Sequence, residues 1–220
     1  EGKIISPATF LPAAERYNLI SKIDHWVIDH AITSLANNPV FLKQIHFCSI
    51  NLSGASLTNP EILSFIIDKL DETGVNGGKL CFEITETAAI SNIVRAMTFI
   101  STLKGMGCRF ALDDFGSGLS SFAYLKNLPV DYLKIDGMFV KDILDDPIDR
   151  AMVKSINEIG QIMGMQTIAE FVEQDEIKGM LRAIGVNYAQ GYAISKPMPF
   201  SELLKRSCNV IDIKQKSDNG

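Results

Sequence analysis

The sequence predicts an α/β fold in which a parallel sheet is closed into a barrel. Two observations predict it: short apolar segments alternate with longer amphipathic ones, and each short segment ends in a polar or charged residue. Alternating strands and helices form parallel sheets with right-handed crossovers. A barrel brings the carboxyl ends of all its strands to one mouth, whereas an open doubly wound sheet gathers functional residues near its switch point. The repeated polar endings therefore favour the barrel.

The predicted strands are rich in Ile, Val, Phe, Leu and Cys and do not alternate polar with apolar residues. This pattern is typical of strands buried on both faces. The six segments are Ile45–Ile50, Leu80–Ile84, Arg109–Leu112, Tyr132–Ile135, Gln166–Ala169 and Val186–Ala189.

The longer segments have apolar residues at helical spacing. They are Ile23–Leu35, a helix opening at Asn59-Pro60-Glu61, Ile93–Leu103, Asp149–Met163 and Glu176–Ile184, with a shorter one at Ser120–Asn127. Asn59 is a favourable N-cap, Pro60 suits the first turn, and Gly74 can end that helix. In the first helix, Trp26 and His30 are assigned to the apolar side. We therefore expect His30 to be a core residue and not a metal ligand.

Composition indicates one globular domain. The chain has 220 residues, 46% of them hydrophobic, which is enough for one substantial core. We expect a domain over residues 1–205 followed by a polar tail over residues 206–220. The chain begins without an initiator methionine, so we expect it to be a segment of a longer protein.

Charge and cysteine usage narrow the class of protein. The formal net charge of −5 argues against binding to a nucleic-acid polymer through phosphate contacts alone. The four cysteines, Cys48, Cys81, Cys108 and Cys208, form no CxxC pair, so buried thiols in a reducing cytoplasm are expected. No apolar segment approaches the roughly 20 residues that span a membrane.

The polar residues at the strand ends suit a metal-assisted reaction. Several carboxylates and one amide in a single pocket would repel each other unless a cation lay among them. Oxygen ligands of this kind suit Mg²⁺ or Mn²⁺. The adjacent Asp113 and Asp114 can serve two ions, an arrangement used for phosphodiester cleavage. Lys134 adds a positive charge that can orient a water molecule or hold a phosphate.

In order and spacing, these residues resemble the EAL family of cyclic di-GMP phosphodiesterases. The matching motifs are INLS (50–53), EITE (83–86), DDFGSG (113–118), LKID (133–136), AEFVE (169–173) and QGY (190–192). The resemblance extends from about Ile5 to Pro199. It implies a TIM-type (β/α)8 barrel, two bound Mg²⁺ or Mn²⁺ ions, and hydrolysis of cyclic di-GMP to the linear dinucleotide pGpG.

The resemblance also implies metal ligands. Asn51, Glu83 and Asp113 match ligands of one ion. Asp114 matches a ligand of the second ion, helped by Asp136.

Further roles follow from the same match. Lys134 and Glu170 resemble the pair that orients and deprotonates the attacking water. Glu86 resembles the acid that anchors the loop after Asp114. Glu173 and Gln190 resemble supporting residues near the metals and the substrate.

Three departures from the family pattern stand out. Ser117 replaces the usual Thr and keeps the hydroxyl, whereas Phe171 stands where many members have Gly. The Glu-Ala-Leu motif that names the family lies upstream of the segment at residues 2–7. We therefore expect this chain to lack two strands and one metal ligand, so its own activity depends on that missing segment.

Other functions remain open at this point. One is a receptor that binds cyclic di-GMP without cleaving it, and another is an unrelated metal-dependent barrel enzyme. The resemblance also implies a homodimer formed through Phe122, Tyr124 and Leu125. Upstream sensory or GGDEF domains are expected in the parent protein. We expect the domain to lie in the cytoplasm, whether or not the parent protein is anchored to a membrane.

Overall fold

The strands of the protein form one parallel sheet in sequence order. The computed structural model describes residues 5–116 and 124–204. The strands are β1 Cys48–Leu52, β2 Leu80–Thr85, β3 Arg109–Phe115, β4 Tyr132–Ile135, β5 Gln166–Ala169 and β6 Tyr188–Ala189, paired in that order. A doubly wound sheet would interrupt this order, whereas a TIM-type barrel keeps it. The predicted α/β barrel fold is confirmed, with six of its strands described.

Helices alternate with the strands from β1 to β6, as predicted, and further helices precede β1 and follow β6. They are α1 Pro7–Arg16, α2 Ile20–Ala36, α3 Pro39–Gln44, α4 Gly54–Leu57, α5 Pro60–Thr73, α6 Glu86–Ser91, α7 Ile93–Gly105, α8 Gly137–Val140, α9 Pro147–Ile162, α10 Asp175–Ile184 and α11 Phe200–Leu203. Asn59 caps α5 by accepting a hydrogen bond from the Glu61 amide, and Gly74 ends it with φ of 65°. Of the predicted segment Ser120–Asn127, residues 120–123 lie outside the described residues, and Leu125–Asn127 form a 3-10 turn.

The two faces of the sheet bury different sets of residues. The face toward the helices contributes large side chains such as Phe82, Phe110 and Leu133 to the main core. The opposite face, called here the inner face, carries a separate small cluster. Its buried members are Cys81, Ala111, Tyr132 and Ile168, with Phe47 and Tyr188 packed against them. This second cluster forms the floor beneath the polar residues at the strand ends.

The predicted apolar face of α2 is wrong for two residues. Trp26 is 64% exposed and stacks on His30, which is also exposed, at a ring distance of 5.1 Å. The buried stripe consists instead of Asp24, Ile28, Ala31, Ile32 and Leu35. Asp24 belongs to this buried stripe because its carboxylate accepts hydrogen bonds from Ser53 and Ser56.

The cysteines of the described residues behave as buried thiols. Cys81 and Cys108 are buried and Cys48 is partly buried, all as free thiols, whereas Cys208 lies outside the described residues. Burial raises the pKa of Cys48 and of Cys108 to about 11, so both are protonated near neutral pH. Within residues 5–116 and 124–204, no helix has the length and apolar character to cross a membrane.

Candidate metal and catalytic site

The inner face places four charged side chains in one layer. Side chains two residues apart on a strand point to the same face. Glu83, Asp113, Lys134 and Glu170 each lie two positions beyond a buried member of the inner-face cluster, at the carboxyl ends of β2 to β5. The apolar floor therefore holds these four groups at one level of the barrel mouth.

Lys134 is the centre of this layer. Its Nζ atom lies 2.7 Å from a carboxylate oxygen of each of three acids, Glu83, Asp113 and Glu170. The lysine side chain is only 3% exposed. Burial opposes its charge, but the three carboxylates outweigh burial and raise the pKa of Lys134. One ammonium group thus neutralises part of a larger negative charge.

Glu170 is held close to this ammonium group. Burial raises the pKa of Glu170, whereas the Lys134 ammonium pulls it back down. The two groups share a hydrogen-bonded contact at the mouth, with Glu170 on the residue just after β5. A carboxylate of raised basicity beside a fixed cation is suited to accept a proton from a bound water molecule.

Two adjacent acids reach the same pocket because β3 is irregular at its end. Consecutive strand residues normally point to opposite faces. The register between β3 and β4 shifts between Leu112 and Phe115, and Asp114 has a left-handed φ of 54°. As a result, one ligand atom each from Asp113, Asp114 and Glu170 lies within 4.8 Å of the others. Burial and then the charges of Asp113 and Asp136 raise the pKa of Asp114.

Asn51 and Gln190 lie at the carboxyl ends of the two outer strands of the described sheet. Asn51 lies within β1, one residue before its end, and pairs in register with Glu83. Paired residues of neighbouring strands face the same side, so Asn51 belongs to the same layer. Gln190 follows β6 directly, and its backbone N–H donates to the backbone carbonyl of Ala169 at 2.8 Å. Both side chains are exposed, and so is that of Glu173.

Asp136 has a structural contact as well as a place near the acids. Its Oδ1 atom accepts a hydrogen bond of 2.8 Å from the Met138 amide and caps α8. Its charge also raises the pKa of Asp114. The residue is therefore close enough to influence the candidate metal ligands while it fixes the loop after β4.

Glu86 joins the two ends of the segment that follows the acid pair. It is buried at the start of α6. The amide of Gly116 donates to its Oε2 at 3.4 Å, and the Tyr124 hydroxyl donates to its Oε1. These two partners flank residues 117–123, which include Ser117 and Phe122 and lie outside the described residues. Leu125, one of the predicted dimer contacts, is 1% exposed within the protomer.

Asp24 is a supporting residue that the sequence reasoning missed. Its Oδ2 atom accepts three hydrogen bonds, from the Ser53 amide at 2.9 Å and from the hydroxyls of Ser53 and Ser56 at 2.6 Å each. These bonds tie α2 to the turn that directly follows Asn51 and Leu52. The signal was present in the sequence, because Asp24 stands at helical spacing with Ile28 in an otherwise apolar stripe.

We expect Asp24→Ala to lower the free energy of unfolding by about 2–3 kcal/mol, because buried hydroxyls and an amide lose a charged acceptor. Urea denaturation measures the change. Asp29→Ala on the same helix is the matched control, since Asp29 forms a more exposed ion pair with Lys69 and should cost under about 1 kcal/mol. Equal losses in the two variants would contradict a special role for Asp24.

The donor set fits a metal ion of the oxygen-binding class. Asp113, Asp114 and Glu170 can converge on one ion, and no His or Cys lies among these three residues. Carboxylates are the preferred ligands of Mg²⁺ and Mn²⁺, whereas zinc sites in proteins commonly include His or Cys. The single positive charge of Lys134 leaves the acids of this layer with net negative charge. An acidic cluster of this composition can therefore bind a divalent cation.

A protein-family model described as the EAL domain matches residues 1–197. Among curated relatives, the cyclic di-GMP phosphodiesterase PdeB of Shewanella oneidensis is 48% identical over 200 residues, 91% of this chain and 23% of that protein. The cyclic di-GMP phosphodiesterase PdeF of Escherichia coli is 37% identical over 202 residues, 92% of this chain and 27% of that protein. The chain thus spans about a quarter of the length of these relatives.

Solved structures give the same similarity in three dimensions. The PaMucR phosphodiesterase in complex with c-di-GMP matches with a TM-score of 0.85 and 31% identity, over 92% of this chain and 82% of that one. The FimX EAL domain of Xanthomonas citri in complex with c-diGMP matches with a TM-score of 0.84 and 28% identity, over 90% and 78%. Both of these structures are described as complexes with the cyclic dinucleotide.

Proposed function

This chain belongs to the EAL domain family, and from that premise we propose that, within the full-length protein, it hydrolyses cyclic di-GMP to the linear dinucleotide pGpG. One observation carries the proposal furthest. The buried ammonium of Lys134 on β4 contacts three carboxylates, which lie at the carboxyl ends of β2, β3 and β5. Asp114, the neighbour of Asp113, lies beside them. An anionic pocket of this kind binds a phosphodiester only when cations lie between the acids and the phosphate.

The cations proposed are two Mg²⁺ or Mn²⁺ ions. Asn51, Glu83 and Asp113 would hold one of them. Asp114, helped by Asp136, would hold the other. When bound, such ions lower the pKa of a coordinated water and neutralise charge that develops on the phosphate oxygens.

The side chains of this chain would then orient and deprotonate the water. Lys134 would hold the attacking water by donating a hydrogen bond to its oxygen. Glu170 would accept the proton that the water loses, since a base of raised pKa lies closer to the working pH. The Lys134 charge would stay in place throughout, because its pKa is raised by three neighbouring acids.

Supporting residues would keep this geometry in place. Glu86 would hold the segment after Asp114 through its bonds to Gly116 and Tyr124. Glu173 and Gln190 would support the substrate side of the mouth from the loops after β5 and β6.

The wider context is part of the same proposal. The catalytic domain would cover residues 1–205, with residues 206–220 as a tail. Cyclic di-GMP is the proposed ligand, and a cytoplasmic location is proposed with upstream sensory or GGDEF domains in the same protein.

A homodimer is proposed through the segment around Tyr124, and light scattering at high concentration tests it. A purely monomeric species would reject the dimer.

Chromatography of cyclic di-GMP after incubation with the full-length protein tests the hydrolase against the receptor. We expect pGpG with Mg²⁺ or Mn²⁺ and none with EDTA, because the acids of the mouth need cations to accept a phosphate. Calorimetry on the same sample reports binding. Tight binding with no linear product under any metal would support a receptor and reject hydrolysis.

A further inference from the structure

Phe171 has an unusual combination of backbone and exposure. It follows Glu170 directly, has a left-handed φ of 53°, and is 61% exposed as a whole residue. A bulky residue in this conformation is strained, and such strain concentrates at sites that contact ligands. Burial offsets little of this strain, because the residue remains largely exposed.

The ring is held in one place by the residues beneath it. A Cβ atom added to Gly137 would lie 2.1 Å from Cδ2 of Phe171, so the ring packs directly on the Gly137 backbone. Gly137 follows Asp136 at the end of β4. One side of the ring is therefore seated on the loop that carries a candidate metal ligand.

The next residue of the chain is fixed from the other direction. The Val172 amide donates to the Gln190 carbonyl at 3.0 Å, and the Ala193 amide donates to the Val172 carbonyl at 2.9 Å. A Cβ atom on Gly191 would lie 2.3 Å from the Val172 nitrogen. The loop after β5 is thus packed between the loops after β4 and β6, which fixes the backbone next to Phe171.

We infer that the solvent-facing side of the Phe171 ring is a stacking platform for one guanine base of the cyclic dinucleotide. The inference rests on the proposed function. The ring is flat, exposed and one residue from Glu170, the proposed proton acceptor. It can therefore stack on a purine while the linked phosphate reaches the acids. Stacking of one base on an aromatic side chain corresponds to about a 5- to 150-fold change in affinity.

The test compares variants that differ in the ring but tolerate the backbone. Phe171→Asn removes the ring and keeps a residue that accepts the left-handed region, whereas Phe171→Tyr keeps the ring. Binding of cyclic di-GMP is measured by calorimetry in the Glu170→Gln background, and kcat and KM are measured without it. Phe171→Asn should raise Kd and KM about 5- to 150-fold with kcat changed less than about threefold. Phe171→Tyr should match the wild type.

Tyr17→Asn is the matched control, because Tyr17 is an equally exposed aromatic residue beyond the end of α1. It should leave all constants unchanged. If the Phe171 ring only clamps Gly137, then Phe171→Asn would lower kcat and the melting temperature and leave KM and Kd unchanged, which would overturn the platform.

A direct probe follows from the single tryptophan of the chain, Trp26. With Trp26→Phe removing the background signal, Phe171→Trp places an indole on the proposed platform. Cyclic di-GMP should quench its fluorescence by stacking. Binding without quenching would reject the platform even where hydrolysis is normal, whereas absence of hydrolysis by the wild type would reject the proposed function instead.

Discussion

Lys134→Met should destabilise the metal-free protein by about 3–5 kcal/mol at pH 7, the range for removing one partner of a buried ion pair. The three acids Glu83, Asp113 and Glu170 would face each other without their common partner, which lies 2.7 Å from each of them in the wild type. Guanidinium denaturation in EDTA measures the loss. Hydrolysis should also fall by at least about 10²-fold, since the cation proposed to hold the water is lost.

The loss of stability should depend on pH with a defined sign. Burial already raises the pKa of Glu170. Without the lysine, repulsion from the neighbouring carboxylates raises this pKa further, so the folded state binds more protons than the unfolded state. The destabilisation is therefore present above this raised pKa and shrinks as the pH falls from 7 toward the ordinary glutamate value of about 4.3. In the wild type the pKa of Lys134 is raised, so its stabilising contribution persists below about 10.4 and is lost only as the pH rises through the raised value.

Lys154→Met supplies the control for this experiment. Lys154 forms an exposed pair with Glu158 at 3.9 Å, which should contribute under about 1 kcal/mol. Added Mg²⁺ should restore part of the stability of Lys134→Met and have no such effect on the control. A Lys134→Met protein as stable as the wild type in EDTA at pH 7 would mean that the three acids do not need the lysine charge.

Glu170→Gln should reduce kcat for cyclic di-GMP by about 10²- to 10⁴-fold, the usual contribution of a general base. The amide keeps the shape of the side chain but cannot accept the water proton. Affinity for cyclic di-GMP should change less than kcat, because the phosphate would be held mainly through the other acids and their ions. Steady-state kinetics and calorimetry on the same preparation separate the two effects.

An exposed acid elsewhere on the chain provides the comparison. Glu158→Gln, on α9 and 58% exposed in its side chain, should leave kcat unchanged. If Glu170→Gln retained more than about a tenth of the wild-type kcat, another group would have to accept the proton. In that case the pairing of Glu170 with Lys134 would be a structural ion pair only.

The order of the strands and the position of the candidate site residues at the strand ends could be predicted from the sequence. Two predicted strands, Tyr132–Ile135 and Gln166–Ala169, have the observed bounds. The first strand is displaced, since β1 covers Cys48–Leu52 and contains Asn51 instead of preceding it. Parallel strands buried on both faces have a strong apolar signal, and a polar residue after each of them is visible without any knowledge of packing.

Features that depend on contacts between distant segments could not be read in this way. The left-handed backbone of Asp114 and the register shift beside it bring two adjacent acids into one pocket, and neither has a local sequence signal. The exposed face of α2 was assigned wrongly because Trp26 and His30 fit a helical apolar pattern. The seat of the Phe171 ring on Gly137 likewise joins two loops that are far apart in sequence.

We propose that the layer around Lys134 activates a water molecule to open a cyclic phosphodiester. The most direct measurement is mass spectrometry of the product formed by the full-length protein in ¹⁸O-labelled water with Mg²⁺. We expect pGpG with one ¹⁸O atom in its terminal phosphate. An EDTA-treated sample should give no product, and Glu170→Gln should give none on the time scale of the wild type. Recovery of intact cyclic di-GMP under every metal condition, or of an unlabelled linear product, would contradict this proposal.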